Sequence, residues 1–264
     1  MKKLLSISFL LLILNGCSFI EFNGSQEQQK SGVVIPEKTK ISDAEVSAGG
    51  PVLEAVYFNE IKMVDGKNII QNPDNLMVMV NKVYSLPAKY QPNDLVRPKV
   101  SFSFGNEQIE KSLLRREAAL ALEKMFDAAN DEGIELFAIS GFRSYDRQDQ
   151  ILRAEIQYVG EEKAVEAVAM PGNSEHQTGL AMDISASSVG YRLTEQFAHT
   201  KEGQWIANEA HKFGYILRYP KGKEEITGYM YEPWHFRYVG VDAAAEMFEN
   251  GWTLEEYFQI VKKI

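Results

Sequence analysis

One cysteine, Cys17, stands in a chain of 264 residues, so no intramolecular disulfide can form and packing, with or without a metal, must hold the fold. Positive charge is also short. Against 37 Asp and Glu there are 28 Lys and Arg, a formal net charge of -9. Gripping a polyanion needs clustered cations that displace counterions, which excludes nucleic acid as a partner. No apolar run reaches the ~20 residues of a comfortable membrane span. Internal repeats are absent, as are the G-x-S-x-G elbow and the S-x-x-K pair that activate a nucleophilic serine. The remaining composition, 45% hydrophobic, 11% aromatic and 25% charged, is that of a globular chain able to bury a core. Its length fits one good-sized domain plus additional sequence.

The additional sequence lies at the amino terminus. Residues 1–17 read MKKLLSISFLLLILNGC: basic at Lys2 and Lys3, mainly apolar from Leu4 to Leu14, then Asn15, Gly16 and Cys17. This is the layout of a secretory signal. Leu14 and Gly16, three residues and one residue before Cys17, resemble the bacterial lipobox, whose cysteine is lipidated and becomes the first mature residue. Cleavage there removes Lys2 and Lys3 and leaves the mature chain more acidic, so acyl chains rather than charge attraction would hold it to a membrane. The stretch 17–50 is rich in Ser, Gln, Glu, Lys and Gly without a sustained period and reads as a flexible tether. The expected location is therefore extracytoplasmic, anchored to the bacterial membrane through Cys17.

Beyond the tether, 51–75 reads as an edge segment, with β-friendly runs around Asp65-Gly66 that predict a hairpin. Leu76 to Val80 predicts a short strand, and the proline-punctuated SLPAKYQPNDLVRP an irregular wrap. Apolar spacing predicts a helix from Glu107 to Asn130. Further helices are expected from Tyr145 to Tyr158 with Ser144 as cap, from Glu161 to Ala169, and from Trp205 to Phe213 closed by Gly214. Strands are expected at Leu136–Ser140, Ala181–Ile184, Tyr215–Leu217 and Trp234–Tyr238, before two closing helices, Val241–Asn250 and Thr253–Lys263. With no regular βαβ repeat, this order predicts an α+β fold, a small sheet beside helices.

Four histidines, at 176, 199, 211 and 235, are the whole supply. His176 lies in PGNSEHQTGLAMDIS, just before an apolar strand carrying Asp183; His235 lies in EPWHFRYVG, three residues after Glu232. Two imidazoles and a carboxylate form a common catalytic zinc set that leaves one position open. A non-ligand carboxylate nearby can then act as base, and Glu232 is the candidate. Pro233 argues against a helical Glu-x-x-His arrangement, so the H-E-x-x-H motif does not apply and strands and loops must assemble the site. His199 and His211 receive no role. Phe142, Tyr145, Trp234 and Tyr238 read as core or wall residues.

Three segments, SGFRSYDRQ from Ser140, S-x-H-x-x-G-x-A-x-D from Ser174 and E-x-W-H-x-R-Y-V-G from Glu232, together resemble the VanY-type D-alanyl-D-alanine carboxypeptidases. That group of zinc peptidases, the LAS group, also includes L,D-carboxypeptidases and is related to the zinc-binding domain of hedgehog proteins. The resemblance implies a small, mainly antiparallel sheet flanked by helices, with a catalytic domain over 76–264 and one zinc ion in a cleft. It further implies zinc ligands His176, Asp183 and His235, Glu232 as general base, and Arg143 as substrate binder and oxyanion stabiliser. Gln148 and Ser174 would be substrate contacts. The implied partners are peptidoglycan stem peptides, met by a monomer. The activity expected first is D,D-carboxypeptidase action releasing D-alanine from pentapeptide stems. The alternatives are L,D action on tetrapeptides, or a non-catalytic zinc-containing wall-binding module, against which the presence of Glu232 argues. Lysostaphin-type endopeptidases resemble H-x-x-x-D followed by H-x-H, and neither is present.

Overall fold

The computed structural model describes residues 50–264. The expected signal segment, the lipidation at Cys17 and the tether to residue 49 lie outside the described residues. The fold class is α+β, as the sequence predicts. A four-stranded sheet runs in the order Phe137–Ser140, Ala181–Ser185, His235–Tyr238, Tyr215–Leu217, antiparallel at every pairing.

The strand Ala181–Ser185 is buried at all five positions because it is central and covered on both faces. Its register matters most for function. His235 lies opposite Asp183, and on the other side a break in register at Ala138/Ser140 brings Ser140 opposite the same Asp183. Directly paired residues share a face of the sheet, so three strands carry polar residues into one row.

Helix Arg116–Asp131 buries Ala118, Ala119, Leu122, Met125, Phe126 and Ala129, a stripe at the helical period. That stripe belongs to the same core as Met182, Ile184 and Phe236 of the sheet. A second core gathers Ile216 with Met247, Leu254 and Tyr257 from the closing helices Val241–Asn250 and Leu254–Ile260. Thr253 and Glu256 form a reciprocal capping box at the start of the last helix, which satisfies two of its free N–H groups. Among the described residues, no helix is long and apolar enough to cross a membrane.

Several expectations are corrected. The segment at Leu76–Val80 forms no strand. Its apolar side chains Met77, Val78 and Val80 are buried, while the carbonyls of Leu76 and Val78 accept hydrogen bonds from the Arg237 guanidinium instead of a neighbouring strand. The long helix starts at Arg116 rather than Glu107. The preceding residues form a 3-10 turn, Glu110–Ser112, and a two-residue strand, Leu114–Arg115, because the carbonyls of Lys111 and Leu113 are taken by the amides of Gly141 and Phe142. The helix expected from Trp205 begins at Lys201, where Thr200 accepts from the Gly203 amide, and it finishes as a 3-10 turn before Gly214. The last helix stops at Ile260, since Lys262–Lys263 pair in parallel with Val52–Leu53. That pairing removes Val52 and Leu53 from the hairpin, which is confined to Ile61–Val64 and Lys67–Ile70 around Asp65 and Gly66, both at positive φ.

Candidate metal and catalytic site

Each expected site residue is presented by a short piece of structure. His176 sits in the 3-10 turn Glu175–Thr178, and Gly179, at φ 66°, ends that turn. A side chain at Gly179 would come within 2.8 Å of Leu95, so glycine is required there both for the left-handed backbone and for space. Asp183 is central in its strand, and His235 opens the next. Glu232 lies three residues before the start of that strand, its amide bonded to the Tyr219 carbonyl. Arg143 lies in the short loop between Phe137–Ser140 and the helix Tyr145–Val159, whose cap is Ser144, as expected.

These elements bring His176, Asp183 and His235 together. One candidate donor atom from each lies within 4.8 Å of the others, and all three residues are buried. His176 Nε2 is 3.4 Å from Asp183 Oδ2, and His235 Nδ1 is 3.0 Å from Asp183 Oδ1. The outer nitrogens decide the tautomers. His176 Nδ1 lies 2.8 Å from the Gly141 carbonyl, which can only accept, so Nδ1 carries the proton and Nε2 turns a lone pair toward Asp183. His235 Nε2 lies 3.4 Å from Glu175 Oε2, leaving Nδ1 facing the same aspartate. Two lone pairs and a carboxylate directed at one another repel unless a cation lies between them.

The protonation equilibria express the same demand. Burial lowers the His176 pKa, although Asp183 opposes that shift. Burial also works against a charged His235, but hydrogen bonds to Asp183 and Glu175 outweigh it and push its pKa up to about 9. Burial would raise the Asp183 pKa, yet the two histidines hold the carboxyl well below the usual range. The two imidazoles move in opposite directions beside one carboxylate because, without a metal, the cluster accommodates one proton and not two. This donor set suits a zinc ion: two imidazoles and one carboxylate, with both outer N–H groups directed at acceptors.

Glu232 stands next to this set, its Oε2 3.8 Å from His235 Nδ1. Burial raises its pKa to about 7; the charge of His235 lowers it and that of Asp183 adds to the rise. Arg143 donates to Gln148 Oε1 at 2.9 Å and to Ser140 Oγ at 3.3 Å. Gln148 in turn donates to the Ala169 carbonyl at 2.7 Å. Both ends of the Gln148 amide are therefore engaged within the protein, and its contribution here is to fix the arginine. All seven expected residues, Ser174 among them, line one cleft of about 200 Å³, walled by Tyr219, Tyr229, Trp234 and Ile151. Trp234 is thus a wall residue. His199 and His211 lie elsewhere, His211 stacked on Phe248.

Two residues of the site escaped the sequence reading. Gly141 supplies the carbonyl for His176, and a Cβ there would collide with the Leu113 carbonyl. Its signal was its place in SGFRS, beside the arginine. Gly141→Ala is expected to destabilise the protein by about 1–3 kcal/mol through forced backbone displacement, measurable as a lower urea midpoint at unchanged m. The second is Glu175, adjacent to His176 and wholly buried.

A small antiparallel sheet that pairs Asp183 with His235 on adjacent strands, with His176 delivered from the turn before them and a glutamate and a fixed arginine alongside, is the framework of a metallo-carboxypeptidase. The profile of the VanY D-alanyl-D-alanine carboxypeptidase family matches residues 111–241, and the chain belongs to that family. It is 50% identical over 262 residues to YodJ of Bacillus subtilis (strain 168), covering 98% of this chain and 96% of that protein. Among solved structures, the LdcB LD-carboxypeptidase is 59% identical with a TM-score of 0.78, covering 81% of this chain and 99% of that one. A zinc complex of the vancomycin resistance D,D-pentapeptidase VanY is 33% identical with a TM-score of 0.56, covering 69% and 98%.

Proposed function

We propose that this chain is a zinc-dependent carboxypeptidase that removes the terminal D-alanine from peptidoglycan stem peptides. One observation carries the reading: one donor atom each from His176, Asp183 and His235 lies within 4.8 Å of the others, with Glu232 beside them. His176, Asp183 and His235 are the ligands of one zinc ion. Bound zinc supplies Lewis acidity toward a carbonyl oxygen and lowers the pKa of water. Glu232, poised by burial near neutrality, takes the proton from the attacking water and returns it to the departing amine. Arg143, held by Gln148 and Ser140, offers a fixed cation to the oxygen that becomes negative. Ser174 and Gln148 border the substrate's path.

The sequence alone favoured D,D action. The 59% identity to LdcB against 33% to VanY supports the L,D alternative, so we place cleavage of the L-residue to D-alanine bond of tetrapeptide stems first. The family profile keeps D,D action as the second reading. A leader over 1–16, a lipid anchor at Cys17 and a tether to residue 50 would let a domain over 76–264, with its edge segment 51–75, reach the wall from the membrane as a monomer. The test is mass spectrometry of defined stems digested by zinc-loaded protein. Tetrapeptide should be converted to tripeptide faster than pentapeptide to tetrapeptide. The reverse order selects the D,D reading, and no release from either stem sinks the enzymatic one.

A further inference from the structure

Beneath the cleft lies a buried cluster of charge that none of the proposed catalytic roles uses. Arg218, Arg237 and Glu175 have fully buried side chains. Glu175 Oε1 accepts from Arg218 Nε and from Arg237 Nη1, each at 2.8 Å. Both arginines are themselves fixed. Arg218 forks onto Glu255 at 2.8 and 2.6 Å. Arg237 donates to the carbonyls of Leu76, Val78 and Tyr238. Burying two arginines and two carboxylates is unfavourable without full pairing, so a cluster this well satisfied holds each member in one orientation.

The consequence falls on the other oxygen. Glu175 Oε2 accepts no hydrogen bond from either arginine and faces His235 Nε2 at 3.4 Å. The Tyr219 ring packs against the same imidazole, centroids 4.9 Å apart. Resting on the metal reading above, we propose that Glu175 is a positioning residue. Its fixed carboxylate accepts a hydrogen bond from Nε2–H of His235, keeping the proton on that nitrogen, and so commits Nδ1, and not Nε2, to the metal. A neutral imidazole carries one ring proton; an acceptor locked at Nε2 leaves the lone pair on the nitrogen that faces Asp183. His176 needs no such carboxylate, because the Gly141 carbonyl does the same for its Nδ1. The two ligands therefore bind through different nitrogens.

Glu175→Gln tests this with a readout other than turnover. The amide keeps the shape, but with its oxygen toward the two guanidinium groups it turns an NH2 toward Nε2, which selects the tautomer with a proton on Nδ1. Zinc affinity, measured by chelator competition well below the melting temperature, is expected to fall about 10–100-fold, the usual effect of losing a partner of a metal-binding histidine. Glu255→Gln disturbs the same cluster from its far side without touching His235. It is expected to lower the melting temperature while changing zinc affinity less than about threefold.

Equal loss of affinity in the two variants would mean general loosening and would overturn the proposal. So would unchanged affinity in Glu175→Gln when the wild type binds zinc, leaving the metal reading intact. A wild type that binds no zinc would overturn both. Should Glu175→Gln fail to fold, long-range 15N-1H spectra of the zinc-loaded wild type decide. They should show a proton on Nε2 of His235 and on Nδ1 of His176, and a proton on Nδ1 of His235 would refute the assignment.

Discussion

Glu232→Gln is expected to lower kcat on the stem peptide about 10²–10⁴-fold, the usual contribution of a positioned general base. KM and zinc content should change little. That range corresponds to about 2.7–5.4 kcal/mol of transition-state stabilisation. Glutamine matches glutamate in size and can occupy the same place beside His235, but it cannot accept a proton from water. The wild-type rate should fall as pH drops through the Glu232 pKa, because protonation removes the base. That pKa is about 7 without a metal, and a bound dication would stabilise the carboxylate and shift it down, so the acid limb belongs at or below pH 7. The residual activity of the variant should lack this limb. An undiminished kcat in Glu232→Gln would place the base elsewhere. Zero release from wild type and variant alike would favour the wall-binding module.

The site was legible from sequence because its chemistry sits in three short segments with characteristic local spacing. His176 and Asp183 are separated by a turn and half a strand, and Glu232 and His235 by three residues. What joins the segments was not legible. That Asp183 lies between Ser140 and His235 depends on sheet register and on a local irregularity at Ala138/Ser140, neither of which leaves a local sequence trace. Glu175 was missed for a related reason. Beside a histidine at the start of a turn, a glutamate reads as an ordinary first-turn acid, and the arginines that bury it lie 43 and 62 residues further along the chain.

The errors in the element boundaries share a cause with that omission. Leu76–Val80 has the composition of a strand, yet its carbonyls serve Arg237. Ile109 and Leu113 fit the helical period, yet the backbone around them receives the loop that carries Arg143. In both places a tertiary demand made by the site overrides local propensity. The fold departs from its sequence pattern where the backbone itself supports the chemistry.

Removal of the metal by a chelator should abolish activity, and added zinc should restore it. The same experiment has a readout in stability and another in protons. A ligand present at 1,000 times its Kd stabilises the native state by about 4.1 kcal/mol. For a domain of this size, that corresponds to a rise of roughly 8–16 °C in melting temperature. Asp183→Ala should show neither the activity nor the rise, because it removes the carboxylate that both imidazoles face. In the metal-free protein a proton on His235, whose pKa is about 9, takes the place of the cation between that imidazole and Asp183. Zinc must displace it, since a ligating nitrogen cannot keep its proton. At pH 8, where Glu232 is mostly ionised and His235 still mostly charged, titration calorimetry in buffers of different ionisation enthalpy should record the release of at least one proton per zinc bound, that of His235 together with any lost by metal-bound water. Zinc binding without proton release would mean that His235 is already neutral before the metal arrives, and that Asp183 is held by something other than the imidazolium inferred here.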